Sequence, residues 1–234
     1  MINTKLSNDN ILIADCLIRL TIMHKRWGFK LCYLRNIKGY KFNHKRVYRI
    51  DRELELNLRI KPRRRIKRDK PEALSVPSEI NQTWSMDFMA DSLTDGRSIR
   101  TFNVINDYNR EGLSIDVDLS LPARRVIQSL ERLIEWRGKP KTIRCDNGPE
   151  YISQALRDWT QGRDIELRYT QPEKPTQNAY IERFNRTVRQ ECLDLHLFDS
   201  VESAQNLTTR WLWVYNNERP HFALGGIPPR AKVA

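Results

Sequence analysis

The sequence predicts an α/β protein, a mixed five-stranded sheet with helices on its faces, preceded by a small, basic, helical region. Three observations predict it. From about residue 80, polar and apolar residues alternate in short stretches, and after the third stretch amphipathic helical segments intervene. Before residue 58, apolar residues recur at helical spacing instead. The positive charge also sits at one end. Residues 1 to 70 carry 20 lysines and arginines against 6 acids, a net of +14, whereas the remainder carries 21 against 23, a net of −2.

Residues 1–58 read as short helices. In "NHKRVYRIDRELEL", Val47, Ile50, Leu54 and then Leu58 form an apolar stripe behind Asn43, a residue suited to cap the helix. The other face carries Lys45, Arg46, Arg49 and Arg52, which can lie against DNA phosphates. With "KGYKF" as the preceding turn, this is a helix-turn-helix-like DNA-binding region. Residues 59–79 form a basic linker with Pro62 and Pro71. Its cations, Arg63, Arg64 and Arg65 among them, repel one another and favour an extended arm that grips phosphates.

Residues 80–234 carry the sheet. "TWSMDFMADSL", "SIRTFNVINDY" and "LSIDVDLS" read as three antiparallel strands, with a hairpin turn at Asp95-Gly96. "PARRVIQSLERLIEWRG" follows as a helix. Pro122 sits in its first turn, Val126, Leu130, Leu133 and Ile134 form its stripe, and Gly138 ends it. "KTIRCDNG" and "IELRYT" are the fourth and fifth strands, around the helix "SQALRDWTQGRD". Two long helices close the chain, "NAYIERFNRTVRQECLDLHLF" and a second one capped by Ser200. Trp211, Leu212, Val214 and Tyr215 read as the buried face of the last helix, and Arg219, Pro220 and His221 as a turn closing on the core.

Composition excludes several classes. No run of about 18 apolar residues exists to span a membrane, and "ILIADCLIRLTIM" is broken by Asp15 and Arg19. A cytoplasmic chain is expected. Cys16, Cys32, Cys145 and Cys192 form no C-x-x-C pair, and His24, His44, His196 and His221 are scattered, so the thiols read as reduced and not as zinc ligands. The concentration of the positive charge in the first 70 residues points to a polyanion partner, most simply nucleic acid.

The candidate chemistry lies in three acids. Asp87 interrupts an apolar run, where a lone buried carboxylate is too costly to leave unpaired. Asp146 ends the fourth strand in "IRCDNGPEY", and Glu182 stands on the helix after the fifth. Brought together, three carboxylates would suit two Mg²⁺ (or Mn²⁺) ions, which prefer hard oxygen ligands and can assist displacement at a phosphate. Asn178, Glu182, Arg186 and Arg189 follow at i, i+4, i+8 and i+11, which places them on one helix face.

With 35 residues between Asp146 and Glu182, these acids resemble the Asp, Asp-35-Glu triad of transposases and retroviral integrases. "WSMDF", "IRCDNGPEY", "QPEKPTQNAYIERFNRTVR" and "YNNERPHFALGGIPP" are similar to insertion-sequence transposases, in particular those encoded by the second of two overlapping reading frames. Where that family often carries Asp-Asp, this chain has Asn106-Asp107. The resemblance implies a ribonuclease-H-like core that cuts and joins DNA, with two metal ions on Asp87, Asp146 and Glu182. It implies Lys174, Asn178, Arg183, Arg186 and Arg189 as DNA contacts. It also implies terminal-repeat and target DNA as partners, a homo-oligomer that synapses two ends, and an upstream-frame product as a further partner. The alternatives are an inactive DNA-binding remnant or regulator of transposition, and a ribonuclease for RNA–DNA hybrids.

Overall fold

The computed structural model describes residues 5–37, 40, 42–56, 58, 76–148, 151–170 and 178–233. The expectations for Arg63, Arg64, Arg65 and Lys174 fall outside these described residues. The chain divides into two compact units, Met1–Arg68 with Glu218–Pro228, and Asp69–Asn217 with Pro229–Ala234. No helix of the described residues is long and apolar enough to cross a membrane.

The first unit is helical. It contains α1 (Lys5–Met23), α2 (Phe29–Cys32) leading into a π-helical turn at Tyr33–Ile37, and α3 (His44–Glu53). Only short helices were expected here, but α1 runs for 19 residues. It is kept whole by a buried stripe of Ile13, Leu17 and Leu20. Helix α1 packs on α3, whose buried face is Val47 and Ile50. Leu54 is the C-cap and Leu58 is exposed, so the predicted stripe stops short. Asn43 caps α3 as expected, its side chain accepting the Lys45 N–H at 2.9 Å. Lys45, Arg49 and Arg52 face solvent. Arg46 does not. Its guanidinium pairs with Asp9 at 3.1 Å and donates to Asn10 at 2.9 Å, so it joins α3 to α1 and is not a free phosphate contact. The turn Arg219–His221 belongs to this unit, not to the sheet core as expected, and His221 pairs with Ile227 in an isolated antiparallel bridge.

The second unit is the predicted mixed sheet, in the order β3-β2-β1-β4-β5. Strands β1 (Thr83–Ser92), β2 (Ser98–Asn106) and β3 (Gly112–Asp118) are antiparallel. Strands β4 (Thr142–Cys145) and β5 (Glu166–Tyr169) continue the sheet parallel to β1. The hairpin turns at Asp95-Gly96, where Gly96 takes φ +86. Helix α4 (Ala123–Arg137) starts one residue later than the sequence suggests, with Pro122 as its N-cap, and ends at Gly138 with φ +84. It covers one sheet face with α5 (Gln154–Gly162). The core there includes Trp84, Met86, Phe102, Val126, Leu130, Ile143 and Leu156. Trp84 is wholly buried, its indole N–H donating to Asn81 at 2.9 Å.

Helices α6 (Ala179–Glu191) and α7 (Val201–Asn217) cover the other face, with Ile105, Ile115, Ile181, Phe184, Val188 and Tyr215 in the core. Ser200 caps α7 by accepting the Ser203 N–H at 3.0 Å. Of the predicted α7 face, Tyr215 is buried and Trp211 and Leu212 are half-buried against this core. These helices close tightly over Gly112, where an added Cβ would lie 2.4 Å from Leu212 Cδ1 and 2.8 Å from the Phe184 ring. Gly112→Val should therefore cost about 1–3 kcal/mol through overpacking. Denaturant unfolding checks this, with a lowered midpoint expected and an unchanged one contradicting the close approach.

Candidate active site

The sheet register brings two of the three acids level. Ser85 of β1 lies beside Arg144 of the parallel β4. Two residues further along each strand come Asp87 and Asp146, with β4 ending at Cys145. Side chains alternate across a strand. Trp84 and Met86 of β1, and Ile143 and Cys145 of β4, point into the core beneath α4 and α5. Asp87 and Asp146 therefore share the opposite face, where α6 packs on β1. Asp146 also closes the turn that follows it, accepting the Gly148 N–H at 2.9 Å. Glu182 lies in the first turn of α6, exposed beside the buried stripe of Ile181, Phe184, Asn185 and Val188.

All three carboxylates meet electrostatically at Asp87. Burial pushes its pKa up from 3.8 to about 6, and the charges of Asp146 and Glu182 push the same way. Two hydrogen bonds oppose them, from the Phe88 N–H at 2.8 Å and from Asn185 Nδ2 at 2.8 Å. Asn185 is in turn held by Asn103, the cross-strand partner of Asp87, whose Nδ2 donates to Asn185 Oδ1 at 2.7 Å. This amide pair was not singled out from the sequence. Its signal was spacing, because Asn185 lies three residues after Glu182, one helical turn along the same side. The neighbouring Cys145 is no nucleophile. Burial, then the charges of Asp146 and Asp87, push its thiol up to about 12.

These carboxylates fit hard divalent cations in kind. They are oxygen donors, and the charges of Asp146 and Glu182 both act on the Asp87 carboxylate, whose pKa is raised chiefly by burial. They are not drawn into one coordination sphere, since no group of three His, Cys, Asp or Glu among the described residues is close enough to hold a metal ion.

An acid whose pKa is raised by folding stabilises the fold below its unfolded pKa, about 4, and that contribution is lost as pH rises through about 6. Asp87→Asn should therefore raise the melting temperature of the metal-free protein at pH 7.5, by about 2–4 °C, and leave it unchanged at pH 4. Equal melting temperatures at pH 7.5 would contradict the raised pKa that burial, with the charges of Asp146 and Glu182, gives Asp87.

The predicted DNA contacts on α6 separate into three kinds. Arg183 and Arg186 are exposed beside Glu182. Asn178, the N-cap of α6, is buried, and its Oδ1 makes no capping bond and has no hydrogen-bond partner among the described residues. It is thus not an exposed DNA contact. Arg189 pairs with Asp91 at 2.7 Å and donates to the Ala90 carbonyl, so it fastens α6 to β1.

A second polar group lies one residue level below the acids. Asp107, wholly buried, accepts from Ser85 Oγ at 2.9 Å and pairs with Arg144 at 3.0 Å. Burial pushes Asp107 up to about 6, against the pull of Ser85, Arg144 and Arg110.

Comparison with known proteins fits this geometry. Residues 77–175 match an integrase core domain model, and residues 163–229 match a second integrase core domain model. The chain is 36% identical over 228 residues to a 31.7 kDa protein of insertion element IS407 from Burkholderia multivorans, covering 97% of this chain and 82% of that protein. It is 40% identical over 216 residues to a 39.2 kDa protein of insertion element IS476 from Xanthomonas euvesicatoria, covering 91% of this chain and 62% of that protein. Among solved structures, it superposes on the HTLV-2 integrase catalytic core domain in complex with magnesium, with a TM-score of 0.53 at 17% identity, covering 69% of this chain and 98% of that one. The sheet unit thus has the ribonuclease-H-like fold of retroviral integrase cores.

Proposed function

The chain belongs to the insertion-sequence transposases with an integrase-like core, and from that premise we propose that it is a metal-dependent DNA strand-transfer enzyme with Asp87, Asp146 and Glu182 as its catalytic carboxylates. The observation that carries this reading is the register that sets Asp87 level with Asp146 on the sheet face beneath α6, with Glu182 in the first turn of that helix.

Asp87, Asp146 and Glu182 would hold two Mg²⁺ or Mn²⁺ ions, a proposal in keeping with the magnesium named for the HTLV-2 integrase core. Bound there, the metals would supply Lewis-acid stabilisation at a phosphoryl oxygen and a more acidic attacking water. The chain's own groups do the rest. Asn185 holds the Asp87 carboxylate in one orientation, and Arg183 and Arg186 offer cations for the DNA phosphates on either side of Glu182. In the first step, a water oxygen bonds to phosphorus at an element end, the bond from phosphorus to the 3′ oxygen breaks, and a 3′-hydroxyl is freed. In the second, that 3′ oxygen bonds to a target phosphorus, its proton is lost, and the target's own 3′ oxygen leaves.

Lys45, Arg49 and Arg52 of α3 bind the duplex, together with the basic linker. The working form is a homo-oligomer that joins two element ends, assisted by an upstream-frame product, in the cytoplasm. A labelled oligonucleotide carrying the flanking repeat of the gene tests the proposal, with Mg²⁺ or Mn²⁺ and with or without that product. Joined DNA is expected. Repeat binding without any joining would favour the DNA-binding regulator instead.

A further inference from the structure

The turn that leads from the last residue of β2 to β3, residues Asn106–Glu111, is unlike an ordinary turn. Turns run over the surface, because buried polar groups need partners. Here Asn106, Asp107, Asn109, Arg110 and Glu111 are all buried. Arg110 holds φ +61, a left-handed conformation that a long side chain takes only when its surroundings fix it. The turn is fixed from behind. Glu111 pairs with Arg137 at 2.8 Å and Arg230 at 3.0 Å, Lys232 donates to the Tyr108 carbonyl at 2.7 Å, and the Tyr215 hydroxyl donates to the Arg110 carbonyl at 3.2 Å.

Its front reaches three elements of the candidate site. The Asp107 N–H donates to the Thr83 carbonyl at the start of β1, at 3.0 Å. The Asp107 carboxylate pairs with Arg144, two residues before Asp146. The Arg110 guanidinium donates to the Asp107 carbonyl and lies 3.2 Å over the ring of Tyr180, two residues before Glu182. One rigid turn therefore touches the strand of Asp87, the strand of Asp146 and the helix of Glu182. The last two come from distant parts of the chain, and the turn bridges them.

We propose that the turn Asn106–Glu111 is a positioning device that sets Glu182 against Asp146, through the stack of Arg110 on Tyr180 and the pair of Asp107 with Arg144. This rests on the reading of the three acids as a metal site. Asp107, Arg110, Arg144 and Tyr180 would act through their neighbours, as positioning residues. The stack depends on the ring and not on the hydroxyl, since a cation is attracted to the face of any electron-rich ring. The ion pair depends on the guanidinium's planar fork.

The test uses the full chain with Tyr180→Met, which keeps apolar bulk but loses the ring, and Tyr180→Phe, which keeps the ring. Mn²⁺ binding is read by electron paramagnetic resonance, strand joining by labelled oligonucleotide, and folding by thermal melting. Tyr180→Met should bind Mn²⁺ about tenfold more weakly, in the range for partners that orient ligands. Its kcat should fall with an unchanged KM for DNA, and its melting temperature should stay close to that of the wild type. Tyr180→Phe should match the wild type in all three. Wild-type Mn²⁺ affinity in Tyr180→Met, or equal loss in both variants, would overturn the proposal. A wild-type chain that binds no Mn²⁺ would overturn it too. If the variants follow the expected order of Mn²⁺ affinity but no chain joins DNA, the positioning role stands and the strand-transfer reading falls. If wild type joins DNA and Tyr180→Met joins it equally well, the reverse holds.

Discussion

Glu182→Gln is expected to lower metal-dependent strand joining by about 10³-fold or more while leaving the fold and DNA binding in place. Metal ions at a phosphoryl centre contribute several kcal/mol, and about 4 kcal/mol corresponds to 10³ in rate. Glutamine preserves the size of the side chain and one carbonyl oxygen but removes the charge that offsets the metal. Glu182 is exposed on α6, outside its buried stripe, so the substitution disturbs no packing. Surface changes of that kind shift stability by about 0.5 kcal/mol or less. The cations proposed to bind the duplex, Lys45, Arg49 and Arg52, lie in a different unit and are unaffected. Melting temperature, repeat binding and joined product, measured on one preparation, check the three parts together. Full joining by Glu182→Gln would remove this residue from the site.

Asn185→Leu should cost about 10–100-fold in joining and move the acidic limb of its pH profile upward. The magnitude is that of losing a partner that orients a metal ligand. The direction follows from the bond lost. Asn185 donates to the charged form of Asp87, and that bond lowers a pKa already raised to about 6. Without it, Asp87 holds its proton to higher pH. Leucine also strands the buried Asn103 amide, whose donor now bonds to Asn185 Oδ1. A buried donor without a partner costs about 1–3 kcal/mol, so some loss of stability accompanies the loss of activity. A pH–rate profile separates the effects, because a purely structural defect lowers the whole curve without moving its acidic limb. An unshifted limb would contradict the role given to the Asn185 bond.

Much of the sheet was legible because local signals agree with the tertiary arrangement. Alternation in "TWSMDFM" marks a strand, although the structure buries Thr83 to Met86 on both faces of β1, and Gly96 and Gly138 supply the positive φ that the hairpin turn and the end of α4 need. Asn43 and Ser200 cap where small polar residues precede helices. The N-terminal unit was less legible. Asp15 and Arg19 break up the apolar residues of α1 in sequence, yet they form an exposed i,i+4 pair at 2.8 Å that leaves the buried stripe of Ile13, Leu17 and Leu20 intact.

Charge alone did not distinguish the arginines. Arg46, Arg183 and Arg189 look alike in sequence, but only Arg183 is exposed, while Arg46 and Arg189 pair with Asp9 and Asp91. Those partners lie 37 and 98 residues away, beyond any helical periodicity. Asp107 and Arg144 were missed for the same reason. They come from a turn and a strand that meet only once β4 adds beside β1. The three acids themselves stood out because each violates its local pattern, a carboxylate inside an apolar strand, at a strand's end, or among arginines on a helix.

Asp87, Asp146 and Glu182 are proposed to form one divalent-metal site. The most direct measurement is an anomalous-scattering map of crystals soaked in Mn²⁺, collected for the wild type and for Asp87→Asn. Manganese peaks against the oxygens of Asp87, Asp146 and Glu182, lost or weakened in Asp87→Asn, are the predicted result. Manganese bound elsewhere, or none at these carboxylates in a well-ordered wild-type crystal, would contradict the claim.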